Sequence, residues 1–213
     1  MTLSVLSRRG AIAGIAAALT ASTTLARAED APAVTLEKLL EPTDMPDLWI
    51  GDPSAKVTIV EYASLTCTHC ARFHEDVWPE LRKRFVDTGK VRFVLREFPL
   101  DPLSLAAFML ARAAGPDRRE AYVDAFFKKQ AQWAFNGRPL DTMPVLTAEL
   151  GMKREEFDAV LKNEALLTSI SQVRMRAQSQ FGVNSTPTFF VDTERLVGAR
   201  PISNFETAIA AQG

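Results

Sequence analysis

The sequence predicts an α/β fold in which a mixed central sheet is interrupted by a long helical insertion. Three observations carry that prediction. A strand pattern at Val57–Tyr62 is followed by a helical stripe and a second strand pattern at Val91–Phe98. Helical periodicity then runs, with few breaks, from about residue 101 to 182. Strand character returns only at Thr188–Val191, with a partner run at Arg195–Val197.

Taken in order, residues 29–50 mix proline, acid and short apolar runs and read as an arm or short leading helix, closed by Gly51-Asp52-Pro53. Val57-Thr58-Ile59-Val60-Glu61-Tyr62 is nearly continuous in apolar character, as expected of a strand covered on both faces. Phe73, Val77, Leu81 and Phe85 recur at four-residue steps and give one buried helical stripe, with Pro79 a kink and Gly89 the stop. The second strand follows, so the unit predicts a parallel, right-handed crossover. Asp101 and Pro102 read as N-cap and first position of a helix that is apolar nearly all round from Leu103 to Ala114. Pro116 opens another helix, carried by Tyr122, Val123, Phe126, Phe127 and Trp133. Phe157 and Leu161 mark a shorter piece, and Leu166, Ile170, Val173, Ala177 and Phe181 a longer one that Gly182 stops. Asp192-Thr193-Glu194 turns the final hairpin, and Ser203-Asn204-Phe205-Glu206 has the form of a capping box opening a closing helix. No repeat or low-complexity linker follows residue 50, so residues 51–213 form one domain with an insertion at about 101–182.

The 213 residues, 47% hydrophobic and 24% charged, suit a soluble globular domain. Arg8 and Arg9 precede a run of Ala, Ile, Leu and Thr up to Leu25, and Ala26-Arg27-Ala28 supplies small residues at cleavage spacing. Residues 1–28 therefore read as a secretory signal peptide; the alternative, a membrane anchor, is opposed by a short apolar run broken by threonines and a serine. Ser7-Arg8-Arg9 resembles a twin-arginine signal without the usual bulky residues after it, and the general export route stands beside it. Three of the 25 basic residues lie in this segment, which leaves 22 against 26 acidic ones, and a mature charge near −4 argues against a nucleic-acid partner. The expected location is the periplasm.

An exported chain works where disulfides persist, yet this one has only two cysteines, Cys67 and Cys70. Closing so small a loop stabilises a fold by roughly 2 kcal/mol at best, so chemistry explains the pair better than stapling. At a strand-to-helix junction the first sulfur sits beside unsatisfied backbone N–H groups and the positive end of the helix dipole, which favours its thiolate. His69 can add hydrogen bonding or positive charge. Cys70, one turn inside the helix and more buried, is placed to resolve a mixed disulfide formed at Cys67.

The first strand, Cys67-Thr68-His69-Cys70, the helical insertion and Thr186-Pro187-Thr188 ahead of the third strand together resemble the DsbA family of bacterial thiol:disulfide oxidoreductases, over about residues 50–212. The resemblance implies a thioredoxin fold, a redox-active disulfide between Cys67 and Cys70, and a thiol lowered into a range of roughly 3.5–7.5 that DsbA itself helps to define. It also implies a cis Thr186–Pro187 bond against the active pair, with the backbone around Thr186 receiving substrate as an added strand. Read without the upstream motif, Pro187 is a trans strand start. Glu61 falls where thioredoxin-like proteins carry a buried acid that moves protons to and from the inner cysteine; its alternative is a strand-end residue facing solvent. Thr68 departs from the proline often found there, which leaves oxidant strength open, whereas His69 keeps the residue common in strong oxidases. The implied partners are reduced or misfolded exported proteins and a membrane redox protein that reoxidises or reduces the dithiol; no cofactor is expected.

Two rivals stand beside oxidation. One is isomerase or reductase activity on the same fold. The other is metal binding or delivery, because Cys67, His69, Cys70 and His74 are the only cysteines and histidines and fall within eight residues. Cys70 and His74 share a helix face but His69 points elsewhere, so a tetrahedral site would distort the helix and no metal is expected. Ala71 after Cys70 excludes the haem-attachment pattern. His74 is read as a solvated or helix-packing residue.

Overall fold

In a computed structural model, the structure describes residues 34–212. The signal segment read at 1–28 lies outside them. The order is α1 (Leu36–Leu40), β1 (Val57–Ala63), α2 (Thr68–Asp76), α3 (Trp78–Leu81), β2 (Val91–Glu97), α4 (Pro102–Ala113), α5 (Pro116–Lys128), α6 (Gln130–Trp133), α7 (Pro139–Glu149), α8 (Arg154–Val160), α9 (Glu164–Phe181), β3 (Thr188–Val191), β4 (Glu194–Val197) and α10 (Ile202–Ala210). The four strands stand in the order β2-β1-β3-β4, with β1 parallel to β2 and antiparallel to β3.

Every residue of β1 is buried, as its unbroken apolar run requires of a central strand with both faces covered. Val60, Tyr62, Val94 and Phe190 pack towards α1 and α9 through Leu39, Ala177 and Phe181. Ile59, Ala63, Phe93 and Phe189 belong to the larger cluster on the other face, with Phe73, Phe108, Phe126 and Phe205. The insertion covers α4 to α9, and Gly182, at φ +61°, closes α9 in the left-handed conformation that glycine adopts at least cost.

Four readings change. The kink falls at Val77, not Pro79, because Pro79 occupies the first turn of α3, where its missing N–H is no loss. A π-helical turn at Arg82–Val86 then adds a residue to the repeat, so Val86 takes the buried place expected of Phe85. Helix α7 went unseen in the sequence because Gly137, Pro139 and Pro144 punctuate it; Pro144 lies inside the helix. The capping box does not form, since α10 starts at Ile202 after Pro201 and Ser203 lies within it.

The segment before β1 is tied down by charge. Arg96 of β2, buried, donates to both carboxylate oxygens of Asp47 (2.9 and 2.6 Å), to the Leu39 carbonyl and to the Tyr62 hydroxyl. The adjacent Glu97, fully buried, accepts from Arg112 (2.6 and 3.1 Å) and Arg119 (2.8 Å).

Candidate active site

The sheet ends where the chemistry begins. After Ala63 the chain turns through Ser64, Leu65 and Thr66, and the insertion fixes each step. Ser104 of α4 meets the Ser64 hydroxyl at 2.8 Å and the Leu65 N–H at 2.9 Å, and Asp101 accepts from Thr66 at 2.6 Å. Gln130 of α6 donates to the Leu65 and Cys67 carbonyls, at 2.8 and 3.1 Å. None of these supports except Asp101, read only as a cap, was visible in the sequence, because they bridge 35 to 65 residues along the chain.

Cys67 is the N-cap residue of α2, with extended backbone angles. Its thiol caps nothing, but the backbone N–H groups of His69 and Cys70 face its sulfur. Cys67 is held down at about 5 from an ordinary value of 9.0. A hydrogen bond from the Cys70 thiol contributes most, burial opposes it, and Thr186 and those two N–H groups add to it. Roughly one Cys67 in a hundred then remains protonated at pH 7. Cys70, wholly buried, moves the opposite way, pushed well above 9.0 by burial first and then by the neighbouring Cys67 and the charge of Glu61. The two cysteines stand as free thiols. His69 is exposed, and its backbone N–H rather than its ring bears on Cys67.

The Thr186–Pro187 bond is cis and lies against the pair: the Cys67 thiol donates to the Thr186 carbonyl at 3.4 Å. β3 follows at once, with Thr188 opposite Tyr62 and Phe189 opposite Glu61, which carries the loop to the cysteines across 119 residues. The Thr186 hydroxyl is buried without a partner and is placed to donate to the ionised sulfur. Thr186→Val should therefore raise the Cys67 pKa above about 5, read from thiolate ultraviolet absorbance against pH; an unchanged midpoint would place the hydroxyl outside the site.

Glu61 is buried completely, so the solvent-facing alternative fails. His74 is not solvated: its side chain is 6% exposed, its Nε2 lies 2.9 Å from Glu61 Oε2, and its ring stacks on Phe127 at 4.3 Å. Among the described residues no group of three or more His, Cys, Asp or Glu is arranged to hold a metal ion.

A dithiol with opposed ionisation at a helix N-terminus, on a sheet of this topology with a cis-proline loop beside it, defines a thiol:disulfide oxidoreductase. A thioredoxin family model matches residues 43–211, and the chain belongs to that family in its DsbA-like form. It is 30% identical over 192 residues to a protein of Rickettsia conorii named as a protein-disulfide oxidoreductase, covering 88% of this chain and 68% of the relative. It superposes on alpha-DsbA1 of Wolbachia pipientis with a TM-score of 0.75 at 28% identity, covering 84% of this chain and 96% of that one. A protein-disulfide isomerase of Novosphingobium aromaticivorans gives a TM-score of 0.70 at 26% identity, covering 79% and 98%.

Proposed function

We propose that residues 1–28 direct export to the periplasm, where Cys67 and Cys70 introduce disulfide bonds into reduced exported proteins and a membrane redox partner restores the enzyme disulfide. The opposed ionisation of the two sulfurs carries this reading. Stabilising the Cys67 thiolate stabilises the reduced enzyme, which makes the disulfide form the better electron acceptor.

A substrate thiolate attacks Cys67 Sγ, the enzyme S–S bond breaks, and its electron pair goes to Cys70, which takes a proton from Glu61. A second substrate thiolate then attacks the substrate sulfur of the mixed disulfide. Cys67 leaves as a thiolate and needs no proton. His69 supplies its backbone N–H to that sulfur, and the backbone at Thr186 and Pro187 receives the substrate as an added strand. No cofactor or metal enters these steps.

The isomerase among the structural relatives supports a second reading, in which a reduced pool of the same dithiol reshuffles wrong disulfides. Two assays separate them. The oxidised chain mixed with a reduced two-cysteine peptide should transfer its disulfide stoichiometrically at pH 7. Poor transfer, joined to rapid rearrangement of a scrambled protein by the reduced chain, would favour isomerisation. Absence of exchange in both would end the redox reading.

A further inference from the structure

His74 is a buried titratable side chain beside the dithiol that the exchange steps leave unused. Its Nε2 meets Glu61 Oε2 at 2.9 Å, while two polar atoms of the same pair, Glu61 Oε1 and His74 Nδ1, are buried without a hydrogen-bond partner. Glu61 faces Cys70 on one side, close enough for its charge to oppose ionisation of that thiol. On the other side the imidazole forms part of the wall of a cavity of about 80 Å³, shared with Trp78, Phe93, Val123 and Glu120. That volume is several times the 10–15 Å³ or so that one water needs. The cavity reaches the surface at Glu120 and Asp124, whose side chains are 36% and 35% exposed.

We propose that His74 is a positioning residue that relays protons between Glu61 and water in the cavity bounded by α2, β2 and α5. The proposal rests on Glu61 serving Cys70 as acid and base. When the enzyme disulfide is reduced, the electron pair of the broken S–S bond goes to Cys70, and Glu61 gives that sulfur a proton. A proton from cavity water enters His74 at Nδ1, and the Nε2–H passes to Glu61, leaving the imidazole neutral. When Cys70 must lose its proton to attack a mixed disulfide at Cys67, the transfer runs the other way. Glu61 is wholly buried and does not line this cavity, whereas the imidazole does.

The charged groups around the ring are few. Glu61 faces it from β1, and Arg119, Glu120 and Asp124 line the same cavity from α5. Arg119 is held by Glu97, Glu120 by Arg82 and Asp124 by Lys128, while Phe93 and Leu95 of β2 and Leu48, Trp49 and Ile50 present no charge.

The test uses His74→Gln, which can still donate to Glu61 but cannot pass a proton on. The reduced chain is mixed with glutathione disulfide, and resolution of the Cys67–glutathione adduct by Cys70 is followed by rapid quench and alkylation between pH 6 and 9, in water and in deuterium oxide. The expected result is resolution slowed about ten-fold or more, accelerated by added imidazole buffer, with the Cys67 thiolate titration unchanged. Should the glutamine variant not fold, His74→Phe keeps the stacking on Phe127 and should show the same slowing. Resolution within two-fold of the parent in the His74 variant, while Glu61→Gln is slow, would overturn the relay and leave the Glu61 assignment standing. Parent rates in both variants would remove Glu61 from proton transfer as well.

Discussion

Cys67→Ser should abolish disulfide transfer to a reduced peptide, by at least about a thousand-fold, while Cys70→Ser should accumulate enzyme–substrate adducts. The asymmetry follows from the position of each sulfur. Cys67 sits at the helix N-cap, held at about 5 and so ionised near neutral pH, and a serine hydroxyl there neither ionises nor forms an S–S bond. Cys70 is wholly buried, with its thiol kept protonated. Without it Cys67 can still attack a disulfide, but nothing within the enzyme releases the adduct. Cys70→Ser should also change Cys67 itself. The Cys70 thiol makes the largest contribution to holding Cys67 down, and a hydroxyl at a different bond length replaces it imperfectly, so the Cys67 midpoint should rise above about 5. Alkylation followed by intact mass measurement reads the adducts, and thiolate absorbance reads the midpoint. Retained dithiol oxidation by Cys67→Ser, or adducts attached elsewhere than Cys67, would remove the central role given to this residue.

The parts of this protein that were legible in the sequence are those written in local pattern. The unbroken run at β1, the Asp101-Pro102 start and the Gly182 stop each depend on neighbours within a few positions, and each appears in the structure. The four-residue steps after Cys67 hold only at Phe73 and Leu81, because the helix breaks at Val77 and a π-helical turn shifts the last step to Val86. The cis bond at Thr186–Pro187 came through resemblance, since an X-Pro pair at a strand start reads as trans by itself. What stayed hidden depends on contacts between distant segments. Gln130 looks like an ordinary helix residue until α6 is packed over the active-site loop. His74 reads as a surface or packing residue because nothing near it in the chain shows that Glu61, thirteen positions away on a strand, ends 2.9 Å from its ring. Helix α7 was hidden by its prolines, whose local meaning as breakers is overridden by packing of Met143 and Leu146 into the core.

Glu97→Gln should destabilise the domain by about 3–5 kcal/mol, the cost of stripping one partner from a buried ionic cluster. Glu97 is wholly buried at the end of β2 and holds two guanidiniums, Arg112 from α4 and Arg119 from α5, so a neutral amide leaves two cations facing each other, with Asp47, already engaged by Arg96, the carboxylate that remains nearby. Burial disfavours the charge on Glu97, but Arg119 and Arg112 outweigh it and hold the carboxyl at about 2, below its ordinary 4.5. Arg119, faced also by Arg112, is lowered by burial more than Glu97 restores, so its dependence on that carboxylate is strong. For a carboxyl depressed on folding, the linked stability is fully present above about pH 4.5 and is lost as the pH falls through about 2. A shift of that size corresponds to roughly 3 kcal/mol. The parent's denaturant midpoint should therefore fall on acidification over this window, and the variant, already lacking the carboxylate, should show a flatter profile there. At neutral pH its melting temperature should drop by about 10 °C, taking roughly 2–4 °C per kcal/mol for a domain of this size. The same cluster reaches the segment before β1, because Arg112 also donates to the Pro46 carbonyl at 2.8 Å. Proteolysis within residues 34–50 should accordingly quicken in Glu97→Gln. A loss below about 1 kcal/mol with an unchanged acid profile would mean that water reaches the guanidiniums as soon as the carboxylate is gone, and that the cluster does not hold this end of the sheet together.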